Sequence, residues 1–171
     1  MHGTFISTMK LGIISDTHNH IENLQAALTI LKAEGIDLLI HCGDATDLEI
    51  IQALGEFRVV YLFGNGDILT GEMQETLLAM SPLNYAGLVY TDHIEGAAVA
   101  ATHGHLDGQV NQWLSSGRYD FVFHGHSHRR RDVRVGKTRS INPGALGGLQ
   151  VEARSFAVLD LQTRTLKFIK L

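Results

Sequence analysis

The stretch Phe121-Val122-Phe123-His124-Gly125-His126-Ser127-His128 runs an apolar, strand-forming segment into a glycine, with histidines at alternate positions across the stop. Histidine is the commonest metal ligand among side chains, so this crowding at a strand end suggests a metal site. Four other apolar runs end in the same way. Asp16 and His18 follow Leu11–Ser15, Gly43-Asp44 follows 38–40, Gly64-Asn65 follows 58–63, and His103-Gly104 follows 97–102. Ligands of α/β sheets bind at the carboxyl ends of strands, where the loops and the crevice lie. Asp16 and His18, two residues apart, would point the same way in extended chain.

The donors collected at these ends are Asp16, His18, Asp44, Asn65, His103, His126 and His128, with no thiolate among them. Carboxylate, amide and imidazole together suit Mn²⁺, Fe or Zn²⁺ better than Ca²⁺ or Mg²⁺ alone. The set exceeds the four ligands usual in a structural zinc site. It is large enough for two ions if one carboxylate bridges them, and two ions about 3.5–4 Å apart form the usual clamp for displacement at phosphorus.

Neighbouring polar residues have plainer readings. His124 and His41 sit within apolar strands and are expected to pack or to support ligands, while His93 and His2 are expected at the surface. Cys42, between an apolar strand and Gly43, reads as a buried structural thiol rather than a nucleophile. Asp67 reads equally as a turn residue or as a group orienting a ligand loop. Arg129-Arg130-Arg131 reads first as a charged edge that discourages sheet stacking, and second as a contact for substrate phosphate. Asn142-Pro143 is either a loop near the metals or a strand terminator.

The elements that must position these groups follow from hydrophobic period. Leu11–Ser15, Asp37–His41 and Arg58–Phe63 predict strands. Ile21, Leu24, Leu28 and Leu31 predict a helix closed by Gly35, and Asp47 is placed to cap a short helix carrying Leu48, Ile51 and Leu54. Residues 72–80 predict another helix, stopped by Ser81-Pro82. Strands are then expected at 88–91 and 97–102 about a turn at Glu95-Gly96, a helix at 110–114, and strands at 121–123, 132–135, 138–141, 156–161 and 166–169. Gly136-Lys137 and Gln162-Thr163 read as tight hairpin turns. An α/β half followed by a β-rich half, in so few residues, predicts two sheets packed together with helices outside.

The bulk properties agree with one globular domain. The chain has 171 residues, 44% hydrophobic and 19% charged, a length that suits a single buried core. A net charge of −4 argues against a general nucleic-acid binder, which usually carries a basic excess. The lone Cys42 excludes an intramolecular disulfide and fits a reducing compartment. No apolar run reaches the ~18 residues that span a membrane, so the cytoplasm is the expected location. Residues 1–8 precede the apolar pattern and are expected to be a disordered extension or tag remnant, leaving 9–171 as the domain.

Asp16-Thr17-His18, Gly43-Asp44, Gly64-Asn65-Gly66-Asp67, His103-Gly104 and Gly125-His126-Ser127-His128 resemble the five blocks of the calcineurin-like metallophosphoesterase family. The compact length and Ile141-Asn142-Pro143-Gly144 are similar to its small prokaryotic phosphodiesterase branch. The resemblance implies an α/β fold of two mixed β-sheets packed as a sandwich with helices on the outer faces (αββα), and two divalent ions per chain, Mn²⁺ first, with Fe, Zn²⁺ or Ni²⁺ as alternatives. It implies one ion on Asp16, His18 and His128, the other on Asn65, His103 and His126, and Asp44 bridging both. The implied reaction is attack on phosphorus by a hydroxide held between the metals. Two divalent ions less two aspartates and a hydroxide leave a single positive charge, which a phosphodiester balances.

Gly66 departs from the wider family, many of whose members carry there a histidine thought to protonate the leaving group. His20, His41 and His105 are candidate substitutes by position. The expected substrate is a small phosphoester, with no nucleic-acid or membrane partner, and the strands after Arg131 leave room for a homo-oligomer. Two alternatives stay open. One is a phosphomonoesterase or nucleotide hydrolase; the other is a silent scaffold, like a retromer subunit of the same fold with an incomplete ligand set.

Overall fold

A computed structural model describes residues 9–171, so the expectations for 1–8 and for His2 lie outside the described residues. Helices and strands alternate through the first half: β1 (Lys10–Ile14), α1 (Ile21–Glu34), β2 (Leu38–His41), α2 (Leu48–Ala53), β3 (Val59–Leu62) and α3 (Thr70–Met80). Then come β4 (Tyr85–Gly87), β5 (Val89–Ile94), β6 (Ala97–Thr102), α4 (Gln109–Ser116), β7 (Phe121–Phe123), β8 (Arg130–Val135), β9 (Thr138–Pro143), β10 (Ser155–Asp160) and β11 (Leu166–Lys170). The Asp47 carboxylate caps α2 by accepting from the Glu49 N–H at 3.0 Å.

The strands form a six-stranded sheet in the order β11-β10-β1-β2-β3-β4 and a five-stranded sheet in the order β5-β6-β7-β9-β8. β1 to β4 run parallel, as do β6, β7 and β9. The remaining pairs are antiparallel. Because side chains alternate across a strand, Leu11, Ile13, Leu38, Ile40, Val60 and Leu62 face the second sheet and meet Val99, Ala101, Phe121, Phe123 and Ile141. On the other face of the first sheet, Ile14, Leu39 and Tyr61 are covered by Leu24 and Leu31 of α1, Ile51 of α2 and Met73 and Leu77 of α3. Trp113 and Leu114 of α4 cover Ala100 and Val122 on the outer face of the second sheet. The architecture is the expected sandwich of mixed sheets with helices outside.

Three details differ from the sequence reading. β4 is a three-residue edge strand paired with β3, too short, with Gly87 as its last residue, to announce itself by period. The β-rich half is not a unit: β10 and β11 return to the first sheet, with Leu159 opposite Leu11. Gly136-Lys137 does form a tight turn, with Val135 opposite Thr138. Gln162-Thr163 instead lies in a longer loop, residues 161–165, in which Arg164 has φ 56°.

Candidate metal centre

The loops after β1, β2, β3, β6 and β7 all leave the carboxyl ends of parallel strands, and hydrogen bonds knit them together. Asp16 N–H donates to the Gly43 carbonyl at 2.9 Å, and His18 N–H to the Asp44 carbonyl at 2.9 Å. Gly125 N–H donates to the His103 carbonyl at 2.8 Å. Two bonds cross between the sheets: His126 N–H donates to Asp16 Oδ2 at 3.1 Å, and His103 Nδ1 donates to the Cys42 carbonyl at 2.7 Å. Gly125 permits this closure, because a Cβ there would collide with Ser15 Oγ and lie 2.7 Å from Asp16 Oδ2.

Asp16, His18, Asp44, His126 and His128 have φ of 53°, 42°, 59°, 69° and 54°. The chain around Asp16 and His18 is therefore not extended, and alternation is not what turns the two side chains together. Sharp left-handed corners do so, a conformation that Asp, Asn and His adopt more readily than most residues.

Asp16 is completely buried. Its Oδ2 accepts from Ser15 Oγ at 2.6 Å and from His126 N–H, whereas Oδ1 has no hydrogen-bond partner. Around Oδ1 stand Nε2 of His128 at 3.3 Å, of His18 at 3.9 Å and of His103 at 4.0 Å. Asp44 Oδ2 lies 3.6 Å from His18 Nε2 and 3.4 Å from His103 Nε2. His18 and His128 bring their Nε2 atoms within 3.3 Å, and His126 Nδ1 lies 3.2 Å from His103 Nε2. Donors about 2.0–2.2 Å from a shared ion lie roughly 3–3.5 Å from one another, so the separations of 3.2, 3.3 and 3.4 Å fit metal ligation and the three longer ones lie a little beyond it. Asp16, His18 and His128 form one group that could hold an ion, and Asp16, Asp44 and His103 a second. Asn65 is exposed on the loop whose next residue, Gly66, donates its N–H to Asp44 Oδ1 at 2.7 Å.

Supporting contacts fix which atoms face the centre. His103 spends Nδ1 on the Cys42 carbonyl, and His128 spends Nδ1 on the Leu149 carbonyl at 2.8 Å, which leaves both Nε2 atoms for a cation. Asp67 resolves in favour of orienting a ligand loop. Its carboxylate accepts from the N–H groups of Asp44 at 3.1 Å, Thr46 at 3.0 Å and Gly64 at 2.8 Å, and from Tyr61 Oη at 2.8 Å. Asn142 likewise holds the last ligand loop, donating to the Gly125 carbonyl at 2.7 Å and to Ser127 Oγ at 3.1 Å. Ser15, Tyr61 and the Leu149 carbonyl were not singled out from sequence. For Tyr61 a signal existed, a lone hydroxyl in the apolar run Val59-Val60-Tyr61-Leu62.

The remaining candidates sort by burial. His41 accepts from Gly43 N–H at 3.1 Å and bonds Thr17 Oγ1 at 2.9 Å, and burial lowers its pKa to about 4. His124 bonds Ser140 Oγ at 3.1 Å, and burial lowers it to about 4 as well. Burial pushes the Cys42 thiol up, away from reactivity. In Asp44, burial acts upward, but contacts with His103, Gly66 N–H and His18 outweigh it and hold the carboxyl at about 2. In His103, burial acts downward and is outweighed by Asp44 and the Asp16 charge, so its pKa is raised. The Asp16 carboxylate, 3.3 Å from Nε2, raises His128.

The chain matches the calcineurin-like phosphoesterase superfamily domain over residues 9–164. It is 30% identical over 165 residues to a phosphodiesterase of Methanocaldococcus jannaschii, covering 95% of this chain and 99% of that protein. It is 34% identical to a probable metallophosphoesterase of Bacillus subtilis over 90% of this chain and 85% of that one. A solved structure of an archaeal phosphodiesterase superposes with a TM-score of 0.91 at 30% identity, covering 95% of this chain and all of the other.

Two outcomes follow from the supporting groups. Asp67→Asn turns an NH₂ toward donors that need an acceptor. It is expected to cost about 1–3 kcal/mol in denaturant unfolding of metal-free protein and to weaken metal binding roughly 10–100-fold; unchanged values would remove Asp67 from this role. The second concerns pH. His41 and His124 have depressed folded pKa values, so the unfolded chain binds more protons between about 6.5 and 4, and stability falls as pH falls through that window. His103 and His128, being raised, act above 6.5 instead. Thermal unfolding of metal-free protein from pH 7 to 4 should show the fall, and His124→Gln should flatten it by up to about 3 kcal/mol.

Proposed function

Because this chain belongs to the calcineurin-like phosphoesterase superfamily, we propose that its strand-end centre hydrolyses small phosphodiesters with two bound divalent ions. The observation that carries the reading is Asp16 Oδ1, a buried carboxylate oxygen without a hydrogen-bond donor, ringed by imidazole nitrogens. We assign one ion to Asp16, His18 and His128, the other to Asn65, His103 and His126, and the bridge to Asp44. The position of Asp44 Oδ2 between His18 and His103 supports the bridge. When bound, the ions supply a nucleophilic water of lowered pKa and positive charge against the non-bridging oxygens of the substrate.

The preference for diesters rests on charge and on the archaeal relative, which is a phosphodiesterase. Arg130 is paired with Glu152, and Arg154 is engaged by the Gly147 and Gly148 carbonyls. Glu152 thereby offsets the charge of Arg130, and the Arg154 guanidinium is turned toward those carbonyls. Mn²⁺ is the ion assigned, because oxygen and imidazole donors suit it. Among the described residues no helix is long and apolar enough to cross a membrane, and with the single buried Cys42 we assign the enzyme to the cytoplasm.

Gly66 offers no proton to the leaving oxygen. Of the histidines considered as substitutes, His41 is enclosed with both ring nitrogens engaged, and His20 is exposed at the start of α1. His105 stands against the centre, its ring 5.4 Å from that of His103 and 6.4 Å from that of His126.

Metal analysis with hydrolysis of a bis-aryl phosphate in added Mn²⁺ tests the proposal. Two ions per chain and EDTA-sensitive turnover are expected, and Asp44→Asn should lose the ion pair and the activity together. Neither metal nor turnover would mean a silent scaffold. Without the family histidine, whose kind contributes ~10²–10⁴-fold, aryl diesters should outpace alkyl diesters by more than they do for relatives that carry it. Equal rates on both, with chemistry rate-limiting, would contradict a missing acid.

A further inference from the structure

Residues 144–154, between β9 and β10, cross the loop that follows β1 like a strap. Leu146 N–H donates to the Ser15 carbonyl at 3.1 Å and Gly147 N–H to the Asp16 carbonyl at 2.7 Å. Asn23 Nδ2 of α1 donates to the Leu146 carbonyl at 2.7 Å. At its other end Glu152 accepts from Arg130 N–H at 3.0 Å and pairs with its guanidinium at 3.3 Å.

Between these ties the strap reaches the candidate ligands. The Leu149 carbonyl accepts from His128 Nδ1 at 2.8 Å. Gly148, at φ 62°, packs its backbone on both imidazoles of the first ion. A Cβ there would collide with His18 Cδ2 and lie 2.8 Å from His128 Cε1. The adjacent residues Gly147 and Gly148 have no side chains to pack, so backbone hydrogen bonds must hold the shape of the strap there. The carbonyls of Gly147 and Gly148 both accept from the Arg154 guanidinium, the second at 2.7 Å. One planar fork thus spans two successive carbonyls, which an ammonium matches poorly.

We propose that Arg154 is a positioning residue for one ion of the pair, the one assigned above to Asp16, His18 and His128. By fixing Gly147 and Gly148, it keeps the Leu149 carbonyl on His128 Nδ1 and Gly148 against both rings, so that the two Nε2 atoms stay converged 3.3 Å apart. The ligands of the other ion have supports outside the strap. His103 is held by the Cys42 carbonyl, His126 by its N–H on Asp16 Oδ2, and the loop of Asn65 by Asp67. The proposal rests on the ligand reading given under the proposed function, and it adds a selectivity which that reading does not contain.

The test is titration of metal-stripped protein with Mn²⁺, read by calorimetry and by the electron paramagnetic resonance of free Mn²⁺. Wild type should show two binding classes, and His18→Ala should remove one of them. Arg154→Met should weaken that same class roughly 10–100-fold, the scale of losses when a group supporting a ligand is removed, and leave the other class unchanged. Arg154→Lys should recover part of the loss. In the His18→Ala background, Arg154→Met should change nothing further in the remaining class. Arg134→Met, exposed on β8, serves as the surface control and should bind as wild type.

Equal weakening of both classes by Arg154→Met would mean general damage and would overturn the proposal, as would wild-type binding by that variant. If wild type binds fewer than two ions, or His18→Ala removes neither class, the ligand reading itself fails and the proposal falls with it. That failure is visible without any Arg154 variant.

Discussion

The structure turns on one carboxylate oxygen. Asp16 is fully buried, and while Oδ2 is satisfied by Ser15 and His126, Oδ1 has no donor. An ionised group so placed is costly unless a counter-charge meets it. The nearest groups are imidazole nitrogens, two of which have their other nitrogen committed to a carbonyl and so can turn a lone pair inward. A buried carboxylate oxygen and several imidazole nitrogens converging this closely call for a cation. The arrangement of the strands can be understood as what delivers Asp16, Asp44 and the histidines to that point from both sheets.

That delivery requires strained backbone. Five of the seven candidate ligands, Asp16, His18, Asp44, His126 and His128, sit at positive φ. Such residues persist only where their surroundings over-determine them. Here the surroundings are the parallel strand ends and a few polar groups just behind the ligands. Asp67 gathers three backbone N–H groups of the β2 and β3 loops, and Asn142 ties the β7 loop to β9. The apolar layer between the sheets, with Phe121 and Phe123 stacked 6.1 Å apart, gives these loops a stiff base. Rigid strands set where each loop starts, and buried polar acceptors set how it turns.

Much of this could be read from residue types. Apolar runs that stop at Asp, His and Gly identify strand ends whatever the sheet order, so the gathering of polar residues at those ends and the sandwich were legible. Direction was not. Alternation offered a reason for Asp16 and His18 to converge, but both lie past the end of β1, where the period of two no longer applies. Partnership between distant segments was also hidden. Nothing local to 156–169 indicates which sheet that hairpin joins, and nothing local to Arg154 indicates two glycine carbonyls in need of a donor. Asp67 lay between these extremes: its place in Gly-Asn-Gly-Asp marked a turn, but only the folded loops reveal three N–H groups pointing at it.

Gly66 shows how closely the centre's parts constrain one another. Its N–H donates to Asp44 Oδ1 at 2.7 Å, and a Cβ at that position would lie 3.1 Å from the same oxygen and 3.2 Å from Thr46 Cγ2. The backbone there is part of the support for the carboxylate assigned as the bridge, and the space above it is already tight. A side chain at 66 would therefore have to fit against Asp44 and Thr46 before it could reach a leaving group. With glycine in place, Asp44 keeps its N–H contact and the approach to the centre stays open. Any protonation of the leaving oxygen then falls to a group on another loop, and His105 is a histidine seated against the candidate ligands His103 and His126.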